Sequence, residues 1–127
     1  VSFKEEFVVV NELVQLFNYL PYRNIVLINN LNTVFLTVPK SLLFIIEQIV
    51  RTTITSSAIV LEIVLQENED YYMIEYRPND KITTQFRAEI LLEIERIFSI
   101  YTTKKIQVKE TNKMRRILVP KLTIQKA

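Results

Sequence analysis

Apolar positions along this chain switch between helical and strand-like repeats. Leu13, Leu16, Phe17 and Leu20 recur at three- and four-residue intervals, which predicts an amphipathic helix over Val9 to Leu20, stopped by Pro21. Ile25 to Ile28 and Thr33 to Thr37 are short runs that read as strands, separated by Asn29-Asn30 and Asn32. Pro39 suits the first turn of a helix, and Leu42, Leu43, Ile45, Ile46, Ile49 and Val50 then form a wide apolar stripe through Thr52. Ile59 to Gln66 alternates with period two, and Val60 and Val64 on its second face predict a central strand. Glu67 to Asp70 reads as a hairpin turn, and Tyr71 to Arg77 as the returning strand. Thr83 or Thr84 can cap a long helix over Thr84 to Tyr101, with Phe86, Ile90, Ile94, Ile97 and Tyr101 on one face and Leu91 and Phe98 beside them. Lys105 to Lys109 and Met114 to Val119 read as a last hairpin around Thr111-Asn112-Lys113.

The predicted order is α-β-β-α-β-β-α-β-β. Mostly hairpin-linked strands with three helices to cover one face give an α+β two-layer sandwich with a mixed, mostly antiparallel sheet. A length of 127 residues fits one domain spanning 1–127, and 49% hydrophobic content supports a real core. The first residue is Val rather than Met, so the expectation is a fragment of a longer protein.

Composition narrows the chemistry. The chain has no glycine, where average usage of about 7% would give roughly nine. Without glycine there is no P-loop, no dinucleotide fingerprint and no other glycine-built phosphate cradle. Seventeen Ile, nine Asn and three Ala fit A/T-rich codons, which thin out glycine but explain its complete loss less well. There is no His, Cys or Trp, so thiolate and imidazole metal sites and disulfides are excluded, and no metal site is expected. A net charge of +2 argues against strong nucleic-acid binding. No apolar run is long enough to span a membrane.

The segment Val38-Pro39-Lys40-Ser41 through Glu47-Gln48-Ile49-Val50-Arg51-Thr52-Thr53 resembles the first ATP-site helix of bacterial sensor histidine kinases, members of the GHKL superfamily with the Bergerat fold. In that family the helix reads Pro-Pro, an apolar stripe, then Glu-Asn-Ala-x-Lys-His. Here Glu47 stands at the Glu, Gln48 at the Asn, Arg51 at the Lys and Thr52 at the His. Asn11-Glu12-Leu13 to Asn18-Tyr19-Leu20, the strand pair 59–77, the helix bearing Glu95-Arg96 and the hairpin ending Val119-Pro120-Lys121-Leu122 follow the family's order. The resemblance implies a histidine-kinase-like ATPase fold over nearly the whole chain.

The departures point away from the family's chemistry. The family's Asn coordinates Mg²⁺ on the nucleotide, and Gln48 sets its amide oxygen one methylene further out, against the strict octahedral geometry of Mg²⁺. The family's adenine-reading Asp sits in Asp-x-Gly-x-Gly, where this chain has Arg77-Pro78-Asn79-Asp80, so Asp80 substitutes only through a register slip. Lys81 to Phe86 replaces the glycine-rich lid. The expected site is therefore vestigial: Glu47, Gln48, Arg51 and Asp80, with no catalytic residue, no metal and no bound cofactor, or Mg·ATP if the site still works. The same resemblance implies a protein partner, a homodimer through an upstream helical domain, a response regulator, and a cytoplasmic location with an inner-membrane tether outside this segment.

Blander readings stand beside these. Glu47 and Gln48 fit a solvated helix edge, Arg51 and Arg77 simple surface charge, and Asp80 a turn. Tyr71, Tyr72 and Tyr76 can stack a base, but strand aromatics ordinarily fill cores. Lys104, Lys105, Lys109, Lys113, Arg115 and Arg116 form a basic cluster on the last hairpin. Three functional readings follow: a degenerate kinase-like regulatory module, a divergent but active ATP-binding domain, and an unrelated α+β adaptor or weak polyanion binder.

Overall fold

The structure is a computed structural model describing residues 1–18, 24–54, 60–77, 88–111 and 114–123, with the backbone alone for 51–54, 60 and 88–90. The described elements are α1 (Phe3–Asn18), β1 (Asn24–Asn29), α2 (Ser41–Ile54), β2 (Val60–Glu67), β3 (Tyr71–Tyr76), α3 (Ala88–Phe98), β4 (Gln107–Thr111) and β5 (Met114–Pro120). The five strands form one sheet in the order β1-β2-β3-β5-β4. β1 runs parallel to β2, with Ile25 opposite Leu61, and α2 is the crossover such a pair requires. All other pairings are antiparallel. The expected α+β sandwich with a mixed sheet is what forms, and β2 lies inside the sheet as its two-faced apolar pattern implied.

One face of the sheet meets the helices. Ile63 and Leu65 of β2, Tyr72, Ile74 and Tyr76 of β3, and Ile117 and Val119 of β5 point into the core. α2 fills its centre: Leu42, Ile45, Ile46, Ile49 and Val50 are all fully buried. Phe3, Val10 and Val14 of α1 and Leu91, Ile94 and Phe98 of α3 complete the cover. Phe3, Phe35 and Tyr72 stack together, with ring centroids 4.7, 4.9 and 5.4 Å apart. Aromatic pairs of this kind are each worth about 0.5–1.5 kcal/mol beyond their burial, and these bind the N-terminus to the chain before α2 and to β3.

Three expectations shift. α1 begins at Phe3 rather than Val9, and its buried stripe is Phe3, Glu6, Val10 and Val14, whereas Leu16 is 63% exposed. The Ser2 hydroxyl accepts the Glu5 amide at 3.3 Å, an N-cap the Leu pattern had hidden. Thr33 to Thr37 is not a sheet strand. Only Leu36 bridges there, to Ser2 on one side and Leu122 on the other. On α3 the buried line is Leu91, Ile94 and Phe98, while Ile97 and Tyr101 face out. Both candidate lines have helical spacing, and packing on α2 and the sheet selects one of them. Pro21, Thr83, Thr84, Phe86 and Asn112 lie outside the described residues.

A chain without glycine still has to turn. Asparagines do much of this through their side chains. Asn29 Oδ1 accepts the Leu31 amide at 3.0 Å, and Asn68 Oδ1 accepts the amides of Asp70 and Tyr71 at 3.0 and 2.8 Å. Among the described residues the left-handed backbone position belongs instead to Lys40, with φ 65°, where the chain enters α2. A Cβ in that region is strained. We predict that Lys40→Gly leaves stability unchanged or raises it by up to ~1 kcal/mol, while the β-branched Lys40→Val lowers it by ~1 kcal/mol or more. Ile46→Ala, at the centre of the core, is expected to cost about 2–5 kcal/mol. Urea unfolding of the three variants checks both statements.

Candidate functional site

The core-facing stripe of α2 fixes what its other side presents. With Leu42, Ile45, Ile46, Ile49 and Val50 turned inward, Glu47 and Gln48 fall together on the opposite side. Both are half-buried, and Phe44, one turn earlier, is 46% exposed. Position 51 follows one turn later on the same side by helical spacing. The structure thus groups Glu47, Gln48 and helix position 51, with the Arg51 side chain outside the description. Asp80 lies outside the described residues. Arg77, just after β3, is exposed.

Of the three β3 tyrosines, Tyr72 and Tyr76 are core residues and Tyr71 is half-buried on the far sheet face. Tyr76, 2% exposed, ends β3 immediately before the segment in question. Arg115 Nη1 donates to its hydroxyl at 2.9 Å, Nε donates to Glu110 Oε1 at 2.8 Å, and the guanidinium sits 5.7 Å from the Tyr76 ring centre. Burial pushes the Tyr76 hydroxyl up, against the pull of Arg115. Tyr72 is fully buried beside Thr37 and Ser41, whose hydroxyls bond each other at 3.1 Å. Its own hydroxyl lies near both but completes no well-formed hydrogen bond. Burial raises it strongly, the two neighbouring hydroxyls oppose the rise, and Glu6 adds to it.

The basic cluster divides between the two sheet faces, with Lys109 opposite Arg116 in the β4–β5 register and Lys113 outside the described residues. Lys104 Nζ pairs with Asp70 at 2.8 Å, Arg115 turns to the inner face, and Arg116 pairs with Glu75 across the sheet at 2.8 Å. That last contact is an ion pair rather than an aligned hydrogen bond, because Glu75 Oε1 has no well-directed donor. Alternation along β5 separates Arg115 from Arg116, which a run of basic letters conceals.

At the other end of the strands lies a cleft of about 1210 Å³. Its lining comes from Val1, residues 33–39, the β2–β3 turn at 67–70, residues 99–104 after α3, and 121–123. Lys121 Nζ donates to Thr33 Oγ1 at 3.0 Å, lies 3.7 Å from Glu67 Oε1, and sits 5.2 Å from the Phe35 ring centre. The sequence pattern does not single out these residues. The acidic turn is visible in it, but the apposition of that turn to residues 33–39 and 99–104 depends on tertiary packing. Among the described residues no cluster of His, Cys, Asp or Glu is arranged to hold a metal, and no helix is long and apolar enough to cross a membrane.

No protein-family model matches the sequence, and no curated protein matches it. Among solved structures the chain is similar to the catalytic domain of the histidine kinase ThkA in a nucleotide-free form. The likeness covers 94% of this chain and 88% of that one, with a TM-score of 0.53 and 9% sequence identity. The fold is therefore that of a histidine-kinase catalytic domain, as the α2 motif implied.

Tyr72 and Tyr76 carry a pH prediction. Both are raised above the ordinary tyrosine value in the folded state. Their contribution is present in full below about pH 10 and is lost as pH rises through the folded values. In an alkaline titration followed by tyrosinate absorbance, part of the signal from the six tyrosines should appear only with unfolding. Tyr72→Phe removes a buried hydroxyl without a well-formed partner, so it should shift alkaline unfolding to higher pH and cost less than about 1 kcal/mol at neutral pH.

Proposed function

We propose that this chain is a degenerate histidine-kinase ATPase-type domain that keeps the fold and serves as a regulatory or interaction module without ATP binding. The observation that carries the reading is a whole kinase-type fold built without one glycine. A triphosphate in such a fold needs closely approaching backbone amides, and side chains on every residue hinder that approach. Gln48 reinforces the reading, because its longer side chain displaces the amide oxygen from the position the family uses. The chain also has no His, so within this segment no imidazole can accept a phosphoryl group.

The context that goes with this reading is a two-component sensor of bacterial type in the cytoplasm, working through protein partners. A homodimer and a response regulator are the partners to test first. Glu47, Gln48, Arg51 and Asp80 are in this reading the remains of the nucleotide site. The rival reading, a divergent but working site, draws on the grouping of Glu47 and Gln48 on the outward side of α2.

Thermal shift with Mg·ATP and Mg·ADP decides between them. A ligand at 100 times its Kd adds about 2.7 kcal/mol of stability, a plainly visible rise in melting temperature. We expect no rise with either nucleotide at millimolar concentration. A rise that disappears in Gln48→Ala or Asp80→Ala would overturn the proposal and restore a working nucleotide site.

A further inference from the structure

The sheet has two outer edges, and they are finished differently. On β1 the outward amide and carbonyl of Ile25 are bonded to the Asn18 side chain. On β4 every residue from Gln107 to Thr111 is exposed, and among the described residues its backbone makes no hydrogen bond beyond the ladder with β5. An open strand edge is a template for one more strand, and proteins commonly blunt such edges with charge. What β4 accepts is therefore set by the charges it presents.

Alternation gives the two faces of β4 different characters. Directly opposite residues share a sheet face, so Val108 and Glu110 lie on the helix side with Ile117 and Arg115, and Lys109 lies on the far side with Arg116. On the helix side Glu110 is matched by Arg115, and Val108 is 42% exposed. On the far side one row runs Glu75, Arg116, Lys109 from β3 to the edge. Arg116 pairs with Glu75 at 2.8 Å, and Lys109 is left opposite a like charge with no ion pair among the described residues. Like charges directly opposite on neighbouring strands are destabilising. The other carboxylate on the far side of the strands, Glu62 of β2, is three strands from β4. That is roughly 14 Å at the usual strand spacing, beyond a Debye length of about 8 Å at physiological salt. The row thus ends, at the open edge, on an unmatched positive charge.

We infer that β4 takes up an extended segment of a protein partner as an additional strand, with an acidic residue opposite Lys109 and an apolar residue opposite Val108. The acidic side chain completes the alternation of charge along the row, and the apolar one covers Val108. A second copy of this chain fails on geometry. Two β4 edges that pair antiparallel do so about a two-fold axis perpendicular to the sheet, so each face continues into the same face. Lys109 then meets the second copy's Gln107, Lys109 or Thr111, and never its Glu110, which lies on the other face. A basic segment would add to the surplus charge, and an uncharged one would leave it. β4 is in this way the contact surface of the interaction module proposed above, and its docking role rests on that reading.

The test is a titration of the ¹⁵N-labelled protein with Ac-Thr-Val-Glu-Val-Thr-NH₂ and Ac-Thr-Val-Gln-Val-Thr-NH₂, each to millimolar concentration. The expected result is saturable amide shifts within 107–111 and 114–118, intermolecular backbone NOEs from peptide to 107–111, and a Glu peptide tighter by roughly threefold, the scale of one exposed ion pair. Lys109→Gln should abolish the preference, and Lys109→Glu should turn it toward Ac-Thr-Val-Lys-Val-Thr-NH₂. Position 109 is exposed, and unchanged signals elsewhere in the spectrum verify that both variants fold. Absence of saturable shifts, equal response to the Glu and Gln peptides, shifts without backbone NOEs, or an unaltered preference in Lys109→Gln would each overturn the inference. Movement of the 107–111 signals with protein concentration alone would assign the edge to a second copy and also overturn it. No nucleotide enters the titration, so the Mg·ATP thermal shift decides the nucleotide question separately and the two proposals fail independently.

Discussion

Burial of α2 is the constraint on which the domain depends. Its apolar stripe touches the sheet and the two other helices at once, and five of its side chains have no solvent exposure. That contact holds the crossover between β1 and β2 in place and so allows the parallel pair to form. It also fixes the roll of the helix about its axis, and the roll alone decides that Glu47 and Gln48 emerge together on the other side. The strained Lys40 sits where this helix begins, and α2's packing outweighs a backbone cost of about 1–3 kcal/mol.

Much of this architecture is legible in the order of residues alone. The period-two run of β2 and the wide stripe of α2 each have one physical solution, and both form as their patterns predict. Elements with two acceptable faces are less legible. α1 and α3 each offer two helical stripes, and the choice between Leu16 and Val14, or between Ile97 and Phe98, belongs to neighbours distant in sequence. Turns are legible in composition but not in mechanism: asparagine side-chain bonds hold them, and a lysine takes the left-handed position. Of the candidate site, the α2 residues can be read from spacing. The cleft cannot, because its parts are far apart in sequence: Thr33 and Lys121, bonded across it, are separated by 88 residues.

The two ends of the domain carry different physics. Where β3 ends, Tyr76, Arg115 and Glu110 form a partnered cluster. At the opposite end, charges are only partly matched and apolar side chains remain in water.

Asn18 shows how such a sheet stays within one molecule. Its side-chain amide accepts from the Ile25 amide at 2.7 Å and donates to the Ile25 carbonyl at 3.0 Å, copying the pair of bonds a neighbouring strand would make. β1 is an outer strand, and here its outward hydrogen-bonding groups at Ile25 are already occupied. The opposite outer strand, β4, has no such plug among the described residues and presents Lys109 and Glu110 at its middle. Addition of a like strand is thus opposed at Ile25 by a side-chain amide that imitates a strand, and along β4 by charge.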